Sequence, residues 1–250
     1  MPALLAFLFL LFLASPSWAA ITFDQACTFQ GTSSISGDCS NSVAADANIA
    51  IVCLAVRDHG GAVQANTAVS VEGAAATNIA GASVTTSNSV IRVEMWRLLA
   101  PTTGANITLS VTGHASTDLL VAGLMTFKGV SQSSPFNGTG TTASATTGTN
   151  ADVNSIASAV GELGVYCGSF RSDSVQAGAA DGTAPVSTER FDLRHSGNAL
   201  TGVGYTEDGA VTSINMRVDM AESHEWAASA ISMMPAADAT RRAVAPILFQ

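Results

Sequence analysis

The sequence predicts an all-β fold, an antiparallel two-sheet sandwich that is jelly-roll-like and of the concanavalin type, with about ten to twelve strands. Three observations lead there. Only 12% of the 250 residues are charged, while Ala, Gly, Ser, Thr and Val abound. Small and β-branched residues favour pleated sheet over helices, whose exposed faces usually carry Glu, Lys and Arg. Apolar residues recur on every second position along the chain, and helical periodicity never persists beyond about two turns. Turn signals punctuate the runs: His59-Gly60-Gly61, Pro101-Thr102-Thr103-Gly104, Ser134-Pro135, Asn137-Gly138, Asp181-Gly182 and Asp208-Gly209.

The chain opens with an unbroken apolar run from Leu4 to Leu13, followed by Ser17-Trp18-Ala19-Ala20. Residues 1–19 are expected to be a signal peptide cleaved before Ala20, although no Lys or Arg precedes the run. The run covers about half of the ~20 residues a membrane-spanning helix needs. No transmembrane helix is expected in the mature chain, and the expected location is secreted, extracellular or cell-surface, with the periplasm as the other choice. Residues 20–234 read as a single sandwich domain. Residues 235–250 read as a polar spacer and a short apolar tail, Ala243 to Gln250.

Within the domain, Ile49 to Val56, Leu119 to Phe127 and Trp226 to Met234 are apolar on both faces, as central or doubly covered strands are. Val90 to Met95 alternates, with Ile91, Val93 and Met95 opposed to Arg92 and Glu94. Asn106 to Thr112 turns Ile107, Leu109 and Val111 inward. Thr212 to Met220 sets Ile214, Met216, Val218 and Met220 against Asn215, Arg217 and Asp219. The Ser-, Thr- and Gly-rich stretch from Ser131 to Ala159 is expected to be a polar edge strand and loop rather than a linker between domains.

Ten basic residues, of which Lys128 is the one lysine, stand against 19 acidic ones, for a net charge of −9. That balance excludes nucleic acid as a main partner and disfavours an anionic membrane surface. Four cysteines, Cys27, Cys39, Cys53 and Cys167, permit three pairings. The preferred one joins Cys27 to Cys39 across a short polar loop and Cys53 to Cys167 across a long stretch of chain. The alternative leaves Cys53 and Cys167 as unpaired buried residues.

Chemistry-bearing residues are sparse. Glu94 and Trp96 share one strand face, a carboxyl beside a ring that can stack on a sugar, but no second carboxylate can be placed opposite as a glycosidase requires. Glu72, Glu189 and Glu225 qualify by residue type alone, and a solvated glutamate near a sheet-anchoring tryptophan is the simpler reading. Tyr166 and Tyr205 are the other candidates for sugar stacking. His59, His114, His195 and His224 lie near turn residues without a visible Ser and Asp arrangement, and are expected on the surface or in loops. No cofactor is expected. Structural calcium is the exception that the pairs Glu207-Asp208 and Asp219 with Glu222, and Asp58, leave open.

Six segments follow one another in an ordered series: Thr22-Phe23-Asp24; Ile51 to Val56; Val69 to Gly73; the block Glu94-Met95-Trp96-Arg97-Leu98-Leu99-Ala100-Pro101-Thr102-Thr103-Gly104; Gly129 to Pro135; and Trp226 to Ile231. In this order the chain resembles a loose group of secreted bacterial, phage and metagenomic β-sandwich modules. The resemblance implies a jelly-roll-like fold and an extracellular or particle-surface setting, and no catalytic residues. The cysteines and the apolar tail are not part of that pattern. Taken together, the residues point to a secreted structural or adhesive protein, with a carbohydrate-binding module as the alternative and a glycoside hydrolase behind it. The partners expected are a surface glycan, or further copies of the chain joined through a sheet edge or the C-terminal tail.

Overall fold

Small and β-branched residues build strands throughout the structure, a computed structural model that describes residues 19–58, 67–88, 90–171, 187–195 and 200–237. The expected signal peptide, apart from Ala19, and the apolar tail lie outside the described residues. Among these there is no helix. The first half of the chain forms β1 (Thr22–Thr32), β2 (Ile35–Ser42), β3 (Ala47–Arg57), β4 (Ala68–Val71), β5 (Ala74–Ala75), β6 (Thr77–Thr85), β7 (Ile91–Leu99), β8 (Asn106–Thr112) and β9 (Leu119–Lys128). The second half forms β10 (Thr141–Ala145), β11 (Asn150–Ala157), β12 (Leu163–Phe170), β13 (Thr188–Arg194), β14 (Thr201–Asp208), β15 (Ser213–Asp219) and β16 (Trp226–Met233).

The expected two-sheet sandwich is corrected: the described residues form sixteen strands in four antiparallel sheets. Two five-stranded sheets, β1-β9-β3-β7-β6 and β10-β16-β12-β14-β13, lie face to face at the centre. The sheet β2-β8-β4-β5 covers the outer face of the first, and the pair β11-β15 covers the outer face of the second. This stacking explains the doubly apolar runs. In β3, Ile49, Ile51 and Cys53 enter the central core, while Ala50, Val52 and Leu54 enter the outer core of the first half. In β12, Val165 and Cys167 point to the centre, and Tyr166 and Phe170 lie under β11 and β15.

The two halves repeat one topology. With β4 and β5 set aside, each central sheet places the first strand of its half beside the last, the last beside the third, and the third beside the fifth and then the fourth. The second and sixth strands form the outer layer. The contacts between the central sheets are reciprocal: β3 on β12, β7 on β16 and β9 on β14, β6 on β10 and β1 on β13. Reciprocity of this kind is the mark of an isologous, two-fold contact. Cys53 and Cys167 sit on that pseudo-axis and are joined to each other, as expected, while Cys27 is joined to Cys39. The stretch from Ser131 to Ala159 crosses from one half to the other and contributes the edge strand β10, together with β11.

Close approach of the central sheets relies on missing side chains. The Phe191 ring lies against Gly123 of β9 and Gly204 of β14, where an added Cβ would fall 2.1 Å and 2.2 Å from ring carbons. Gly204→Ala is expected to destabilise the protein by about 1–3 kcal/mol through overpacking, read as a lower denaturant midpoint. Phe191→Leu in the same chain should return part of that loss, and strict additivity of the two changes would show that the ring is not what the new methyl meets.

The Cys53–Cys167 bond closes a separation of 114 residues and the Cys27–Cys39 bond one of 12. Chain-entropy arguments give the longer loop the larger stabilisation, up to about 4–5 kcal/mol. Replacing Cys53 and Cys167 together by alanine is therefore expected to lower the guanidinium midpoint more than replacing Cys27 and Cys39, and the reverse order would refute the central role of the axial bond.

Candidate functional site

Alternation in β7 sends Arg92, Glu94 and Trp96 toward the outer sheet of the first half rather than into solvent. The expected half-buried strand is in fact covered on both faces, and the expected solvated Glu94 is buried, with its side chain 1% exposed. Its carboxylate accepts a bond from Trp96 Nε1 at Oε2 (2.8 Å) and from the Thr67 hydroxyl at Oε1 (3.2 Å), and pairs with the Arg92 guanidinium. The cation and the two further donors offset the cost of taking this carboxylate out of water. Both oxygens are thus engaged within the fold.

The β8–β9 connection adds His114 and Asp118 to this group. Asp118 Oδ2 accepts the Ala115 amide at 3.1 Å, forming a tight turn that carries His114 inward. The imidazole Nε2 lies 3.4 Å from the Thr67 hydroxyl, and Nδ1 lies 3.6 Å from Asp118 Oδ2; the two side chains are 1% and 0% exposed. His114 Nδ1 and Asp118 Oδ1 are buried without a hydrogen-bond partner. Burial pushes the His114 pKa below its ordinary value; Glu94 and Asp118 oppose that shift and Arg92 assists it. The result is a continuous line of polar groups, Asp118, His114, Thr67, Glu94, then Trp96 and Arg92, inside the first sandwich. Histidine, hydroxyl and carboxylate are the residue types of acid–base catalysis, but at 1% exposure the ring is enclosed rather than presented. Of the surface or loop position expected for the histidines, His114 has the loop, in the β8–β9 connection, but its side chain is buried rather than at the surface. The same holds for His195, 7% exposed with Nε2 3.2 Å from the Gly31 carbonyl. The readable signal was the four-residue spacing of His114 and Asp118, which a turn can close. His59 and Asp181-Gly182 lie outside the described residues.

The tyrosines expected to stack on sugars occupy the outer core of the second half. Tyr166 is 0% exposed and donates to the Ala151 carbonyl at 3.1 Å; Tyr205 is 2% exposed and donates to Glu189 Oε2 at 3.0 Å. Their rings meet edge to face at 6.2 Å, and burial raises the Tyr166 hydroxyl pKa well above its ordinary value. Neither ring has a face left for a ligand. Trp96 is only partly covered, packing against the outer core of the first half. Of the residues considered for calcium, Glu207 is buried and accepts the Ser187 hydroxyl at 2.7 Å, and Asp219 pairs with Arg217. Among the described residues no group of three or more His, Cys, Asp or Glu side chains is placed to hold a metal ion. Nor is any described helix long and apolar enough to cross a membrane.

Comparison with protein-family models, curated proteins and solved structures gave no match.

The burial of neutral His114 makes stability depend on pH. Its imidazole titrates near 6.5 when the chain is unfolded and lower when folded. Below 6.5 the unfolded chain binds a proton that the folded chain refuses, so this contribution is present above that pH and is lost as the pH falls through the folded value. His114→Gln is expected to flatten the fall in the denaturant midpoint between about pH 7 and 5, and an unchanged profile would show that His114 already carries its proton freely in the folded state.

Proposed function

We propose that this chain is an exported structural or adhesive protein of a cell or particle surface, acting through a rigid shape rather than through catalysis. The observation that carries this reading is the disulfide at the pseudo-axis, which pins two sandwiches back to back. A bond of that kind forms and persists in an oxidising compartment, in keeping with the apolar leader and with the resemblance to secreted surface modules. The ionisable residues fit the same picture. Glu94 is consumed by Arg92, Thr67 and Trp96, and Glu162 by Asn137, Ser232 and the Ala159 amide. Carboxylates arranged so serve the fold, whereas a glycosidase pair must face a substrate across a cleft.

Carbohydrate binding is the second reading, and a surface depression on the first half, described below, favours it. It rests on different residues from the buried tyrosines.

The structural reading is tested on the protein as its source organism makes it. Antibody labelling is expected to find the chain retained on intact cells or particles, and light scattering of the released protein is expected to find multimers. A freely diffusing monomer in the medium would overturn this reading. So would turnover of a glycoside or ester substrate that Glu94→Gln or His114→Ala abolishes.

A further inference from the structure

Arg97 follows Trp96 on β7 and points to the opposite face, toward the rim of the central core. Its guanidinium lies over the Phe136 ring, 5.4 Å from the centroid. Among the described residues it has no carboxylate partner and donates no hydrogen bond. Arg92, Lys128, Arg171 and Arg217 are each paired with a carboxylate, whereas Arg190, like Arg97, is held by other groups. Arg97 forms one wall of an open depression of about 420 Å³, alongside Thr77 and Ile79 of the edge strand β6, and Ser134, Pro135 and Phe136 of the crossover between halves. That volume lies within the range of small-molecule sites, about 300–1,000 Å³.

The other half shows what the same place looks like when filled. Met95 and Gly204 each pair with the axial cysteine of their half, so Arg97 corresponds to Thr206, two residues further along its strand. There Arg190 reaches in from β13, donates through Nε to the Thr206 hydroxyl at 2.7 Å, and stacks on Phe23 at 4.2 Å. One half therefore satisfies its arginine within the fold, and the other leaves a guanidinium facing an open cleft.

We propose that this depression binds a carboxylate-bearing saccharide unit, its carboxylate on Arg97 and its ring between the hydroxyl and aliphatic walls. A guanidinium offers a planar fork of donors matched to a carboxylate. The ring of Phe136 holds that fork in place, so little freedom is lost on binding. The rest of the lining combines the hydroxyl-bearing Thr77 and Ser134 with the apolar Ile79 and Pro135, which are themselves largely covered, a mixture that suits the hydroxyls and C–H faces of a sugar ring. A single cation on a chain of net charge −9 suits one negative charge better than a phosphate dianion.

This inference goes beyond the structural reading and fails separately from it, since a chain can assemble without binding sugar, or bind without assembling. The test is titration of the isotope-labelled mature protein with methyl β-glucuronide, methyl β-glucoside and inorganic phosphate at low salt, followed by amide NMR. The glucuronide is expected to shift the amides of Thr77–Ala80, Ser134 and 136–138, and to bind about tenfold or more tightly than the glucoside. Arg97→Ala should remove that preference, and Arg97→Lys should retain part of it, with the denaturant midpoint confirming that both variants fold. Equal binding of glucuronide and glucoside would overturn the proposal. So would phosphate binding at least as tight as the glucuronide, preference surviving Arg97→Ala, or shifts confined to other residues.

Discussion

Burial of two strands of each central sheet on both faces is the constraint on which the rest of the molecule depends. A sheet covered on one side can balance hydroxyls against aliphatics along each strand, but β3, β9, β12 and β16 have no solvent face to receive a polar residue. Stacked sheets lie about 10 Å apart, so four layers make a body roughly 30 Å thick. A single core of that depth is rare, since domains are commonly built from two layers and occasionally three. Here the depth is reached by doubling: each half is a two-layer unit, and the inner faces of the two units form a third core between them. The disulfide from Cys53 to Cys167 lies within that third core.

The composition follows from this arrangement. Backbones that must approach on both sides need residues such as the alanines and serines of β16, Trp226–Met233, and the glycines beneath Phe191. Charges cannot enter such layers singly. Where Glu94 and Glu162 do enter, each collects several donors, which offset the cost of removing a carboxylate from water. The low charge of the chain is thus a consequence of how little surface per residue four layers leave for it, and hydroxyls cover much of what remains.

The strand class and the doubly apolar runs were legible because burial on two faces leaves a direct mark on the sequence. The alternation of β8 and β15 likewise matched their buried rows, Ile107, Leu109 and Val111, and Ile214, Met216 and Val218. The doubling was not legible. Corresponding positions share burial rather than residue type: Ile51 answers to Val165, Val52 to Tyr166 and Leu54 to Gly168. A repeat carried by topology leaves no repeat of letters. Short strands such as Ala68–Val71 and Ala74–Ala75, and the bulges in β6 and β13, break the period and hid further strands. The polar line in the first half was missed for a related reason: Thr67, Glu94 and His114 are brought together by sheet pairing, and only His114 and Asp118 lie close in sequence.

The pseudo-axis also explains a departure from symmetry. On a two-fold axis a residue meets its own counterpart, which suits a cysteine and penalises a charge. Four residues beyond the axial cysteines stand Arg57 and Arg171, and the positive charge of Arg171 adds to burial in lowering the Arg57 pKa. A symmetric molecule would leave two like charges facing each other at the rim of the core. The remedy is asymmetric. Arg57 pairs in register with Leu119 at the start of β9, whereas at the corresponding place in the second half Arg171 meets Glu225, its amide bonded to the Glu225 carbonyl. The Glu225 carboxylate lies 3.7 Å from the Arg171 guanidinium, accepts the Thr86 hydroxyl from the first half, and draws the Arg57 pKa back up. One carboxylate therefore serves both arginines and ties the halves together at the place where exact repetition would have pushed them apart.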